Sequence, residues 1–400
     1  MTAGIGVAAP RGWDALDTVG FVALAGFVAA VHFSIAAAET LLAVAFLAWL
    51  GAALVNRERL TAPPMFLPLA IYAAVTLVSV AFSLDPPSSV RASKQLLLFG
   101  VVPIVYGLAR GARARTLLHV AITVGALSAI LGVVQYGVLG YDNLAHRVQG
   151  SLGHWMTYSG LLLLVTAAAT ARLMFDRDDR IWPALIMPAL IVAILVGFTR
   201  SAWVGTCAAV ALLFALKDFR LVALVPVLIA AVLALVFTIA PSALVGRFYS
   251  VVNLKDPTSS DRISMIRAGS AIVRDHPLTG VGLDVIKRVY PEYRVSEAVQ
   301  KDQPHLHNVP MQIAAERGLP ALAAWLWFIG AAVAGALRTF RTGRDRALSA
   351  AALAAIVGML AAGLFEYNFG DSEFLMLFLV LITLPLAAEN TGTTRASGVS

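Results

Sequence analysis

The chain predicts an all-α polytopic membrane protein of about twelve transmembrane helices, with one long outer loop that contains short amphipathic helices. Three observations carry this reading. The 400 residues are 59% hydrophobic and only 13% charged, with mean hydropathy +0.82, where an average soluble domain is roughly a quarter charged. Apolar stretches of about 18–22 residues, each able to cross a hydrocarbon core of roughly 30 Å, recur from one end to the other. The basic residues are distributed unequally between alternate connections.

The expected spans lie near 18–35, 36–55, 65–83, 92–109, 116–139, 154–171, 181–198, 202–216, 221–240, 320–337, 347–365 and 372–388. With the N-terminus placed in the cytoplasm, the inner segments hold Arg11, Arg57, Arg59, Arg110, Arg113, Arg115, Arg172, Arg177, Arg180, Lys217, Arg220, Arg338, Arg341, Arg344, Arg346 and Arg395. The short outer segments hold only Arg91, Lys94, Arg147 and Arg200. Positive residues are retained in short cytoplasmic loops, whereas long loops are translocated largely regardless of charge. Both termini are therefore expected inside and the long loop outside. The expected organisation is residues 1–240 with the first nine spans, 241–319 as the outer loop carrying the chemistry, 320–388 with the last three spans, and 389–400 as a cytoplasmic tail.

The net charge of +7 and the pI near 9.7 report topology here, and no basic, aromatic face for nucleic acid accompanies them. Cys207, the one cysteine, has no partner for a disulfide or a cysteine metal site. The run beginning near Thr18 follows Asp14 and Asp17 and lacks a basic region and cleavage site, so it reads as a retained helix. No Ser-His-Asp signature and no phosphate-cradling loop is present. The outer carboxylates, among them Asp261, Glu316, Glu366 and Asp371, show no tight ligand spacing, and no metal or cofactor is expected.

Polar groups cluster on the outer side, where ionisable residues near a membrane are usually functional. Thr199-Arg200-Ser201-Ala202-Trp203 is the whole connection between two apolar spans, with Arg200 at the membrane surface and Trp203 at interface depth. Residues 261–274 contain few helix breakers and bring Ile263, Ile266, Ser270 and Val273 near one face, so an amphipathic helix flanked by Arg262 and Arg267 is expected at the interface. Gly280-Val281-Gly282 reads as a tight turn. In the stretch from His305 to Pro320, Asn308 is an N-cap, Pro310 lies in the first turn, and Gly318 with Pro320 ends the helix. Asn308, Gln312 and Glu316 follow at i, i+4 and i+8, giving a polar stripe with His307 at the helix's positive end. That end favours anions and a neutral imidazole, the form a general base requires.

These residues resemble the O-antigen ligase and polymerase superfamily of bacterial envelope enzymes. The resemblance rests on His307-Asn308 followed by Gln312, Glu316 and Gly318, on Thr199-Arg200-Ser201 with Trp203, and on Arg262 ahead of the segment from Asp275 to Gly282. The long outer loop before the last three spans completes it. It implies metal-independent, inverting glycosyl transfer on the periplasmic face of the bacterial inner membrane. The donor would be a glycan on undecaprenyl diphosphate, the acceptor a lipid A–core oligosaccharide, and membrane lipids the remaining partner. His307 would act as catalytic base, while Arg200, Arg262 and Arg267 would hold the diphosphate; Arg147, Lys94, Asn308, Gln312 and Glu316 would be further substrate contacts. An O-antigen polymerase, a protein O-oligosaccharyltransferase and a lipid-linked glycan transporter are the alternatives.

Overall fold

The computed structural model describes residues 12–143, 145–176, 178–239, 257–295, 300–343 and 345–390. Arg11, Arg177, Arg344, Arg395, the opening of the long loop at 240–256 and the tail at 391–400 lie outside them. The described chain is all-α, with a single isolated bridge between Asp142 and Arg147.

Along the chain run α1 (Gly12–Ala30), α2 (Ile35–Asn56), α3 (Phe66–Ala81), α4 (Pro86–Ser93), α5 (Val101–Leu108), α6 (Ala112–Gly137), α7 (Trp155–Phe175), α8 (Ile181–Val196), α9 (Arg200–Lys217) and α10 (Leu224–Ile239). Then follow α11 (Pro257–Asp275), α12 (Ile286–Tyr293), α13 (Val309–Thr342), α14 (Arg346–Gly363) and α15 (Ser372–Glu389). Short 3-10 turns occupy Lys94–Gly100, Phe219–Ala223 and Asn368–Gly370. Seven of these helices, α2, α6, α7, α9, α13, α14 and α15, are long and apolar enough to cross a membrane. The expected spans near 18–35, 65–83, 181–198 and 221–240 fall on shorter apolar helices, and that at 92–109 is divided between a 3-10 turn and α5.

Side chains punctuate the helices as their chemistry requires. Ser34, Asp85, His154, Asn308, Asp345 and Asp371 each accept a hydrogen bond from a backbone N–H in the first turn of α2, α4, α7, α13, α14 and α15. The alanine-rich α14 is buried over most of its length and packs against α7, α9, α13 and α15, because small side chains let helix backbones approach closely. Leu47, Leu127, Leu185 and Leu326 are exposed on the bundle exterior, a surface that hydrocarbon would cover without cost.

The two ends of the bundle differ in chemistry. At one end, Arg113 pairs with Asp17 at 2.6 Å, Arg115 with Asp345 at 2.9 Å and Arg172 with Asp179 at 2.9 Å, drawing together several connections predicted to be cytoplasmic. At the other end, residues 257–295 and 300–319 fold into a cap with its own apolar core of Met265, Ala268, Ile272, Val281, Ile286, Tyr290 and Leu306. The face of α11 that enters this core differs from the one expected: Met265, Ala268 and Ile272 are buried, while Ile263 and Ile266 are 45% and 42% exposed. The core selects the Met265 face because Leu306 and the 281–290 segment pack there.

The cap is sewn down by backbone bonds. Val281 and Gly282 donate to the carbonyls of Ala315 and Glu316 at 2.9 Å, Leu319 donates to Pro277, and Leu84 donates to Val281. This close approach explains both glycines. A Cβ at Gly280, where φ is +64°, would lie 2.3 Å from the Glu316 carbonyl carbon, and one at Gly318, where φ is +81°, would lie 2.2 Å from the Leu278 oxygen. Gly318 kinks α13 into an outer piece, 309–317, and a long apolar piece beyond it.

Candidate functional site

His307 sits at the foot of the cap in a left-handed backbone conformation, φ +48°. Neighbouring anchors fix it there: Gln312 Oε1 accepts the Leu306 N–H at 2.7 Å, and Asn308 caps α13 while its Nδ2 donates to the Leu364 carbonyl at 3.1 Å. Those bonds join the His307 turn to the connection between α14 and α15. That connection carries Glu366, whose carboxylate oxygens lie 3.0 and 3.1 Å from His307 Nδ1.

Glu366 is 8% exposed. Burial would raise its carboxyl, but the hydrogen bond from His307 and the nearby positive charge of Arg262 hold the group below the usual carboxylate range. An ionised carboxylate can only accept, so the Nδ1 position of His307 carries the proton and Nε2 is left as the ring's acceptor. His305 stands edge-on to His307 with ring centroids 4.1 Å apart, and burial lowers it to about 4. Both histidines and Glu366 line a cavity of about 510 Å³, within the roughly 300–1,000 Å³ of small-molecule sites.

Arg147, Arg200 and Arg262 line a narrow crevice together with Trp155, Thr199, Ser201 and the same Glu366. Met156 and Glu366 belong to both crevice and cavity, so the two adjoin. Arg200 opens α9, and its charge is felt by both Arg147 and Arg262. Burial works against the charge of Arg262, Glu366 supports it and Arg200 opposes it. Burial also works against the charge of Arg147, whose guanidinium lies 5.0 Å from the Trp155 ring. Three arginines sharing a crevice concentrate positive charge of the kind that draws an anion.

The other candidates separate from this centre. Arg267 is exposed on α11, on a face different from that of Arg262, and Lys94 is exposed at the start of the 3-10 turn; neither lines the cavity or the crevice. Asn308, Gln312 and Glu316 do not line them either, and the latter two are buried. Glu316 Oε1 accepts the Asp284 N–H at 2.8 Å, and its partner Arg317 donates to the Tyr367 hydroxyl at 3.0 Å. The polar stripe therefore braces the site from inside, because the cap and α3 close over that face of the helix. Trp203 is 8% exposed, its indole N–H donating to the Ile194 carbonyl at 2.8 Å, so it is a core residue and not an interface anchor.

Glu366 is the residue that sequence reasoning missed as a partner for His307. The signal available was its position three residues after the end of α14, next to Tyr367. The structure also reveals a donor set absent from residue spacing, since His305, His307 and Glu366 have ligand atoms within 4.8 Å of one another. Arg262 beside Glu366 supplies a fixed positive charge that disfavours a cation there and favours an anionic ligand.

No curated protein is similar enough to match the chain. Residues 183–326, which run from α8 through the cap into α13 and carry Arg200, Arg262 and His307, match the family model described as O-antigen ligase.

Proposed function

We propose that the chain is a glycan ligase that moves a glycan from undecaprenyl diphosphate to lipid A–core oligosaccharide on the periplasmic face of the inner membrane. The observation that carries this reading is the His307–Glu366 pair at the junction between a three-arginine crevice and a 510 Å³ cavity. In this scheme Nε2 of His307 takes the proton of an acceptor hydroxyl as its oxygen attacks the anomeric carbon. The bond from that carbon to the diphosphate oxygen breaks, inverting the centre. Arg200 and Arg262, with Arg147 beside them, neutralise the departing diphosphate, each charge-assisted contact contributing roughly 1.5–3 kcal/mol. His307, now an imidazolium, is stabilised by Glu366. The reaction needs no metal in this scheme, because the arginines do the work a divalent ion does elsewhere.

The test reconstitutes pure protein with undecaprenyl diphosphate-linked glycan, once alone and once with lipid A–core. Product is expected only in the second case, as glycan on lipid A–core with undecaprenyl diphosphate released. His307→Ala should lose about 10²–10⁴ in turnover while retaining donor binding. Growth of the lipid-linked glycan without lipid A–core would make the chain a polymerase instead.

A further inference from the structure

The wall of the cavity formed by the start of α7 and the start of α15 holds polar groups that the proton transfer does not use. Asp371 Oδ1 accepts the Phe374 N–H at 3.0 Å, capping α15, and Oδ2 accepts the Thr157 hydroxyl. His154 Nδ1 lies 3.1 Å from that same hydroxyl oxygen. Asp371 also shares a side-chain hydrogen bond with Glu373; a carboxylate offers about four acceptor positions across its two oxygens, so acceptor capacity remains on a group that lines the cavity. A helix cap alone does not call for this arrangement, since one oxygen suffices for it.

Around Asp371 the wall is suited to a polyhydroxylated ligand. Gln300 and Gln303 contribute amides on the cap side, and Tyr367 lines the same wall with an aromatic ring of the kind that takes the apolar face of a sugar. The cap amides are held in place: Gln303 Nε2 donates to Asp261 Oδ2 at 3.3 Å and to Gln300 Oε1 at 2.8 Å. The arginines line the adjoining crevice and not this 510 Å³ cavity.

We propose that this wall is a saccharide subsite in which Asp371 accepts hydrogen bonds from hydroxyls of the sugar that receives the glycan, orienting one hydroxyl toward His307. The proposal rests on the transferase reading given above. Asp371 is a positioning residue and takes no part in bond making.

The test compares wild type with Asp371→Asn, which keeps an oxygen to cap α15 but replaces the other acceptor by a donor. Binding of deacylated core oligosaccharide to the purified full chain is measured by calorimetry, and the KM values for acceptor and donor by reconstituted transfer. The oligosaccharide Kd and acceptor KM should each rise about tenfold or more, as loss of a hydrogen bond to a charged group requires, while the donor KM is unchanged. Asp371→Glu should restore part of the affinity. Equal oligosaccharide affinity in wild type and Asp371→Asn, or none in wild type, overturns the subsite. Tight oligosaccharide binding without transfer would defeat the transferase reading instead, and the affinity comparison would still decide the role of Asp371.

Discussion

Glu366→Gln isolates the electrostatic contribution of the carboxylate behind His307. The glutamine is nearly isosteric and keeps one oxygen able to accept from Nδ1, so the turn that carries it should persist. It removes the negative charge 3.0 Å from the imidazole. A unit-charge pair at that distance interacts by about 1.4 kcal/mol in bulk water and about 5 kcal/mol at an effective dielectric of about 20. The side chains of His307 and Glu366 are 15% and 11% exposed, which places the pair nearer the second figure. The imidazolium forms only as the acceptor proton transfers, so the lost energy falls on the transition state and slows turnover by about 10²–10⁴. The glutamine amide can also turn its NH₂ toward Nδ1 and force the tautomer whose Nε2 bears hydrogen, which deepens the loss. The assay is reconstituted transfer at saturating donor and acceptor, with donor affinity and a melting curve as controls for the fold. Turnover close to wild type in a folded Glu366→Gln protein would refute the assignment of the carboxylate as the partner of the base.

Arg200→Ala and Arg262→Ala should each raise the donor KM, and lysine at either position should rescue incompletely because it lacks the planar fork of guanidinium; unchanged donor affinity in both would place the diphosphate elsewhere. Acid sensitivity should follow His305, whose folded value of about 4 lies below its ordinary 6.5. The folded state then binds fewer protons than the unfolded chain between those limits, so the stability from keeping His305 neutral is present above about pH 6.5 and lost as pH falls toward 4. Melting temperature measured across that window should slope downward in wild type and flatten in His305→Gln. Gly280→Ala should destabilise the cap by about 1–3 kcal/mol or prevent its closure, since the added carbon meets the Glu316 backbone and not a flexible side chain; an unchanged protease-cleavage rate would count against the cap's backbone seam. Chelation by EDTA should leave transfer intact, and loss of activity restored by Mg²⁺ or Zn²⁺ would make the His305, His307 and Glu366 set a metal centre.

Much of the fold was legible because hydrophobic length is a one-dimensional property. The spans near 36–55, 116–139, 154–171, 347–365 and 372–388 each fall on a helix long enough to cross a membrane, and every expected span falls on helical chain. The Asn308 cap and the Gly318 break were readable for the same reason, since capping and left-handed backbone are local preferences of single residues. Arg200, Arg262 and His307 stood out as charged or titratable groups on one side of an apolar sequence, and the fold brings them to adjoining pockets.

What tertiary structure decided is which face each helix turns inward and which distant residues meet. Nothing local favours the Met265 face of α11 over the Ile263 face, because both are apolar at helical spacing; the partner core formed by 281–290 and Leu306 makes the choice. The same holds for Gln312 and Glu316, whose helical stripe is polar enough for solvent but is satisfied internally by the backbone at Leu306 and Asp284. Glu366 lies 59 residues from His307 in sequence, and Asp371 lies 214 from Thr157. Pairings over such separations depend on where two helices end in space. The sequence by itself determined that the chain is a series of apolar helices with arginines and a histidine gathered in a few polar segments between them; only packing determined that a buried carboxylate stands behind that histidine, because a contact is a property of two backbones and not of one.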